Sequence, residues 1–203
     1  MPKPNCLEIT CSTACNKLKH ARPYPYDLNI YRGCQHGCRY CYALYSHEHI
    51  VGVPGGNFYK NIYIKTNIVE QLERQFASLA WTGDVVNIGS VCDSYQPIEE
   101  QYKIMPEILK VFIKYKNPCI ISTKSKLMLR DFDLIDELSR LAHVNIACTI
   151  TTVDEEVRRK LEPYGATSAK RFEVLKEIKK TKASRGVHIM PILPFITDSA
   201  ENL

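Results

Sequence analysis

HVNIACTITT, residues 143–152, is the stretch that decides how the chain assembles. Side chains alternate between the two faces of a strand. Val144, Ile146, Cys148 and Ile150 therefore fall on one face, and Asn145, Ala147, Thr149 and Thr151 on the other. The same division recurs on both sides of it. In CIISTKS (119–125), Cys119 and Ile121 oppose Ser122 and Lys124; in DVVNIGSV (84–91), Val86 and Ile88 oppose Asn87 and Gly89. In RGVHIMPIL (185–193), Val187 and Ile189 oppose His188, and DLNIYRG (27–33) supplies a further strand at the start. A parallel sheet packed by helices on both faces is apolar on both. Here one face is repeatedly small or polar, which predicts a curled sheet whose outer face meets helices and whose inner face lines a wet cavity. A closed eight-stranded barrel fills its interior with side chains, so an open, partial barrel is expected.

Helical periodicity separates these strands. TNIVEQLERQFASLAW (66–81) sets Ile68, Val69, Leu72, Phe76 and Leu79 on one face. EEQYKIMPEILKVFIKY (99–115) sets Tyr102, Met105, Leu109 and Phe112 in step, with Pro106 in its first turn or bending it. DFDLIDELSRL (131–141) opens on acidic residues, and SAKRFEVLKEIKK (168–180) has Ser168 as a cap. The alternation predicts an α/β chain with a parallel sheet. Two units are expected: an irregular N-terminal arm over 1–26, its PYPY step extended, and a barrel domain over 27–203.

Composition narrows the chemistry. The chain has 203 residues, a net charge of +5 and nine cysteines. The charge is mildly basic, compatible with a nucleic-acid partner without demonstrating one. No apolar run is long enough to span a membrane, and MPKPNCLEIT lacks the apolar core of a signal peptide. Nine cysteines without an export signal point to a reducing, cytoplasmic setting and to metal or redox chemistry rather than disulfides.

Three cysteines stand out. YRGCQHGCRYCYA (31–43) holds Cys34, Cys38 and Cys41 in a C-x3-C-x2-C spacing, on a loop following a strand. Gly33 and Gly37 permit the backbone angles needed to wrap a compact metal centre. A [4Fe–4S] cluster held by three thiolates leaves one iron open to a substrate or cofactor. Structural zinc completed by His36 is an alternative, as is a simple electron-transfer cluster, which would need a fourth protein ligand. Cys6, Cys11 and Cys15 are expected to be ordinary thiols rather than a second metal site, and Cys119 and Cys148 core residues. Asp93, Tyr95 and Gln96 make a polar loop at the reactive rim or a capped turn. His188 reads as an inward scaffold residue, and KEIKKTKASR (176–185) as a solvated face rather than a DNA groove.

The C-x3-C-x2-C loop with Tyr40 before the last cysteine resembles the signature of radical S-adenosylmethionine enzymes. The blocks LNIYRGCQHGCRYCYALYSH, SVCDSYQPIEE, STKSKLMLRD, ITT and LEP, in that order, resemble the spore photoproduct lyase-like group, often labelled DNA repair photolyases. The resemblance implies a partial (β/α)6 TIM-like barrel, here truncated after its fifth strand, and an enzyme that reductively cleaves S-adenosylmethionine at a [4Fe–4S] cluster. The resulting 5′-deoxyadenosyl radical abstracts hydrogen from a substrate, and a DNA photolesion fits the group's label. Carried over by position, Cys34, Cys38 and Cys41 are cluster ligands. Tyr40 lies near the adenine, Gly89, Ser90 and Val91 hold the methionine amine, and Lys124 and Thr149 contact the methionyl or ribose part. Thr151 joins this cofactor-binding group. The amine motif usually holds glycines and an acidic residue; GSVCD offers Gly89 and Asp93. Cys92 is the candidate hydrogen donor, although alternation turns it away from the cavity. A one-electron donor such as flavodoxin or ferredoxin is implied.

Overall fold

The computed structural model describes residues 4–19, 24–47 and 57–201. Its strands are β1 (Asn5–Ile9), β2 (Cys15–Lys17), β3 (Tyr26–Leu28), β4 (Tyr31–Arg32), β5 (Asn61–Lys65), β6 (Val86–Ile88), β7 (Cys119–Thr123), β8 (Val144–Thr149) and β9 (Ser184–His188). The α-helices are α1 (Ile68–Ala77), α2 (Glu99–Tyr102), α3 (Ile104–Tyr115), α4 (Phe132–Leu141), α5 (Glu155–Leu161) and α6 (Ser168–Ile178). Strands β3, β6, β7, β8 and β9 pair in that order, all parallel, with β2 antiparallel on the β3 edge. A second sheet, β1-β5-β4, stands beside them.

The register bears out the two-faced reading. Parallel partners side by side point the same way, so Asp27, Asn87, Ile120, Asn145 and Ser184 form one row across the sheet. Its polar members bond along the row: Asn87 Nδ2 donates to Asp27 Oδ1 at 3.2 Å, and Asn145 Nδ2 to Ser184 Oγ at 2.9 Å. The next row carries Ser122, Ala147 and Gly186, and Thr149 lies beside His188 above it. On the opposite face Val86, Cys119 and Val144 align, as do Ile88, Ile121 and Ile146, all buried. Each such side chain taken from water contributes about 1.5–3 kcal/mol. That face packs on α3, α4 and α6, which bury Leu109 and Phe112, Ile135 and Leu138, and Val174 and Ile178.

Several local expectations are corrected. Within the arm expected over 1–26, the described residues carry β1 and β2. Side-chain amides of α1 stitch it down: Asn67 exchanges hydrogen bonds with the Cys11 backbone at 2.8 and 2.9 Å, and Gln75 with Cys15 at 2.9 and 2.9 Å. DLNIYRG divides between the two sheets at Asn29 and Ile30. Leu79 lies beyond the end of α1 and is fully exposed. The helix expected over 99–115 breaks at Lys103 (φ 51°), and Glu99 accepts from the amides of Ile104 and Met105 to start α3 afresh, with Pro106 in its first turn. The cap of α6 is Thr167, whose hydroxyl accepts from Lys170 N; Ser168 instead donates to Thr152 O at 2.7 Å. Val187 and Ile189 are 40% and 36% exposed, and among the described residues β9 is the edge of its sheet. None of the nine cysteines forms a disulfide, and no helix among the described residues is long and apolar enough to cross a membrane.

Candidate functional site

The cysteine loop lies across the C-terminal ends of the parallel strands, and three elements fasten it there. From the segment before β5, Phe58 O accepts from Cys34 N at 3.2 Å and Tyr59 Oη donates to Cys38 O at 2.6 Å. From the loop after β6, Gln96 Oε1 accepts from Gln35 N at 2.9 Å, and Asp93 Oδ2 lies 2.9 Å from His36 Nε2. From the far end of α5, Leu161 O accepts from Arg39 N at 2.8 Å, and Tyr164 N donates to His36 O at 3.2 Å. Neighbouring strands stand ~4.8 Å apart, so a flat sheet would hold β3 and β8 about 14 Å from one another. Tyr40 nonetheless places its hydroxyl 2.9 Å from Thr151 Oγ1 just beyond β8, as a curled sheet allows. Gly33 makes the turn possible: its φ is +87°, and a Cβ there would stand 2.4 Å from Asn61 O.

The three thiols share this loop. Cys38 is buried, and Cys34 and Cys41 are half-buried. Burial, then the charges of Cys41, Cys38 and Cys34, pushes the Tyr59 phenol up to about 12. Burial raises each thiol. Cys38 goes up to about 11, with Lys124 opposing the rise and Glu162 and Cys41 adding to it; Cys34 goes well above its ordinary value, helped by Asp93 and Cys38. A metal held by these thiols would have to displace their protons. Three thiols on one short loop, with no fourth cysteine beside them in sequence, match the donor set of a cluster with an open iron. Among the described residues no group of three or more His, Cys, Asp and Glu side chains closes on a single ion. His36, the candidate fourth zinc ligand, has both ring nitrogens engaged: Nε2 with Asp93, and Nδ1 3.4 Å from Tyr164 O.

The expected cofactor-binding residues surround this loop. Lys124 Nζ stands 5.8 Å from the centre of the Tyr40 ring, and its charge also bears on Cys38, Cys41, Glu162 and His188. Burial, with Lys124 second, lowers His188. Thr149 is buried in the same row as His188, and Thr151 Oγ1 donates to Glu162 Oε1 at 2.8 Å. Gly89 turns the chain at φ +87°, where a Cβ would meet Cys92 O at 2.9 Å. Ser90 Oγ then donates to Asp27 Oδ2 at 2.8 Å, and Val91 N donates to Asn29 Oδ1 at 3.0 Å. The Ser90 carbonyl is taken by the Tyr42 hydroxyl.

Two expected residues sit in other roles. Burial alone would raise Asp93, but the His36 charge and hydrogen bonds from His36, Lys124 N and Tyr95 N hold it down to about 2. With Thr123 Oγ1 also 2.8 and 3.0 Å away, its carboxylate is filled by the protein and works as a clip between the cysteine loop and β7. Cys92 is buried in the apolar core, its thiol 3.8 Å from Asn29 Oδ1 and, through burial, raised to about 12. Cys6, Cys11 and Cys15 make separate contacts: Cys6 Sγ with Pro4 O, Cys11 Sγ with Asn67, and Cys15 buried.

Sequence reasoning missed Asn29, Glu162 and Arg171. Glu162 is fully buried; one oxygen accepts from Tyr40 and Thr151, the other from Arg171. Arg171 is buried too and donates to Thr149 O at 2.7 Å and Ala166 O at 3.0 Å. The pair thus braces Tyr40 and the end of β8. The LEP block marked Glu162 by position, but nothing in the sequence paired it with Arg171.

Comparison with known proteins agrees with this geometry. The profile of the Radical SAM superfamily matches residues 28–203. An uncharacterized protein of Mycobacterium tuberculosis (strain H37Rv) is 34% identical over 97% of this chain and 58% of its own length. One of Methanocaldococcus jannaschii is 29% identical over 85% of this chain and 62% of its own. The chain thus spans about three fifths of the curated relatives it matches. Among solved structures, spore photoproduct lyase complexed with dinucleoside spore photoproduct shares the fold at a TM-score of 0.68 and 14% identity, over 93% of this chain and 52% of that one. A mutant of that lyase with bound AdoMet and dinucleoside spore photoproduct gives 0.67 and 15%, over 92% and 51%.

Proposed function

Because this chain belongs to the radical SAM superfamily, we propose that it holds a [4Fe–4S] cluster through Cys34, Cys38 and Cys41 and binds S-adenosylmethionine against it, to abstract hydrogen from a substrate inside the curled sheet. The observation that carries the reading is the fastening of the loop that bears all three cysteines across the C-terminal rim, with Lys124 over the Tyr40 ring. When bound, the cluster and S-adenosylmethionine supply a 5′-deoxyadenosyl radical at the cost of one electron, which a donor such as flavodoxin or ferredoxin would deliver.

The protein's own part is positioning and exclusion of water. Tyr40 offers a ring face whose orientation is fixed through its hydroxyl by Thr151 and Glu162. Lys124 brings positive charge over that ring, suited to the carboxylate or ribose oxygens of the cofactor. The turn Gly89-Ser90-Val91 is braced by Asp27 and Asn29, so its backbone can face the methionine amine. Thr149 and His188 line the wall above the polar rows. Asp93 positions the cysteine loop and touches no reacting atom in this reading.

A DNA photolesion is the substrate class to test first; one spore photoproduct lyase structure that shares this fold is complexed with dinucleoside spore photoproduct. The whole reading is tested by anaerobic reconstitution followed by dithionite and S-adenosylmethionine. A brown protein that releases 5′-deoxyadenosine is expected, with colour and product both lost in Cys38→Ala. A cluster-loaded wild type that forms none, or a variant that keeps either, overturns it. A colourless protein with one zinc per chain would indicate a structural metal module instead.

A further inference from the structure

Beside Val91, the structure carries two cations, Arg32 and Lys65, that the reading above does not use. Two clefts of about 210 Å³ each meet there, and both are lined by Asn16, Arg32 and Lys65. One extends over Thr10, Cys11, Ser12 and Thr13; the other reaches Asn29, Ser46 and Val91. Lys65 is only 6% exposed, and of its three ammonium donors one is satisfied, by Asn29 O at 2.6 Å. Neither Lys65 nor Arg32 has a carboxylate partner among the described residues, and Arg32 makes no side-chain hydrogen bond there. Ser46 Oγ, on the wall of the second cleft, is buried without any hydrogen-bond partner.

A buried cation without a counter-charge and a buried hydroxyl without a partner each oppose folding. Burial lowers the Lys65 ammonium, the nearby Cys92, Cys11 and Cys15 thiols oppose that, and the Arg32 charge adds to it. An anion would relieve all three at once. The donors also specify its shape. A carboxylate offers two oxygens, whereas a guanidinium, an ammonium and the Ser12 and Ser46 hydroxyls lining the two clefts suit a tetrahedral group with three exposed oxygens.

We propose that the Arg32–Lys65 cleft is a phosphate-binding site opening beside the Gly89-Ser90-Val91 turn. The phosphate could belong to a small phosphorylated molecule or to a nucleic-acid backbone; the recognition chemistry is the same. The proposal does not depend on cluster chemistry, and it is tested on the full chain without any metal.

Calorimetric titration with sodium phosphate, against sodium chloride at equal ionic strength, is expected to show saturable one-site binding. Arg32→Gln alters an exposed side chain and should weaken that binding at least tenfold, as should Lys65→Met. Lys179→Gln, in the solvated run after α6, should leave it unchanged. No saturable phosphate binding, an undiminished affinity in Arg32→Gln, or an equal loss in Lys179→Gln would each overturn the proposal. If Lys65→Met fails to fold, Arg32→Gln still decides. A short single-stranded DNA that competes with phosphate in the wild type but not in Arg32→Gln assigns the site to a nucleic-acid backbone. Phosphate binding that DNA leaves untouched assigns it to a small phosphorylated ligand.

Discussion

Glu162 is held below its ordinary value of 4.5: burial pushes it upward, but Arg171, Lys124 and the hydrogen bond from Tyr40 outweigh burial. A depressed carboxyl contributes stability that is present above its unfolded value and lost as pH falls through the folded one. Urea unfolding of the wild type should therefore weaken below about pH 4.5, and Glu162→Gln should show a flatter acid limb. At neutral pH that variant should be less stable by about 3 kcal/mol, since it strands a buried guanidinium. Gly33→Ala should cost about 2 kcal/mol or more, from a positive φ and a Cβ pressed against the Asn61 carbonyl, read as a lower urea midpoint. Alternation alone put Lys124 and Thr149 on the inner face, since a period of two needs no tertiary knowledge. It could not pair Glu162 with Arg171, because their contact depends on how α6 docks against β8.

The long amphipathic helices were legible because their buried positions repeat. Ile68, Leu72 and Phe76 are spaced by one turn and face the core. Two elements were not. β5 buries Ile62, Tyr63 and Ile64 in succession, so it shows no alternation to read. α5 is short and charged and lacks an apolar stripe; its sequence signals were acidic residues at the start, basic ones at the end, and Asp154 before them. Asp154 Oδ1 accepts from Glu156 N at 2.8 Å and Val157 N at 3.1 Å. Asp154→Ala should cost about 1 kcal/mol in urea unfolding. Because α5 hands Leu161 O and Tyr164 to the cysteine loop, the same variant should speed amide exchange at Arg39, whose partner is Leu161 O.

Across the molecule, the polar inner rows and apolar outer rows were readable from four stretches of sequence, and they fixed a curled parallel sheet. The second sheet and the stitched arm were not readable, since β1 meets β5 over more than fifty positions of chain. Strand order also predicts relative stability. Amides of β7 and β8, each flanked on both sides, should exchange slowest, and those of β9, open on one side, fastest among the parallel strands. Equal protection along β8 and β9 would contradict this topology. The clip of His36, Asp93, Thr123 and Lys124 has one more outcome. The loop is tied to its neighbours by the polypeptide itself, so the cluster proposed above could be lost and the fold should still stand. Such a chain can be refilled and returned to service, where one that needed its metal to fold would have to be made again.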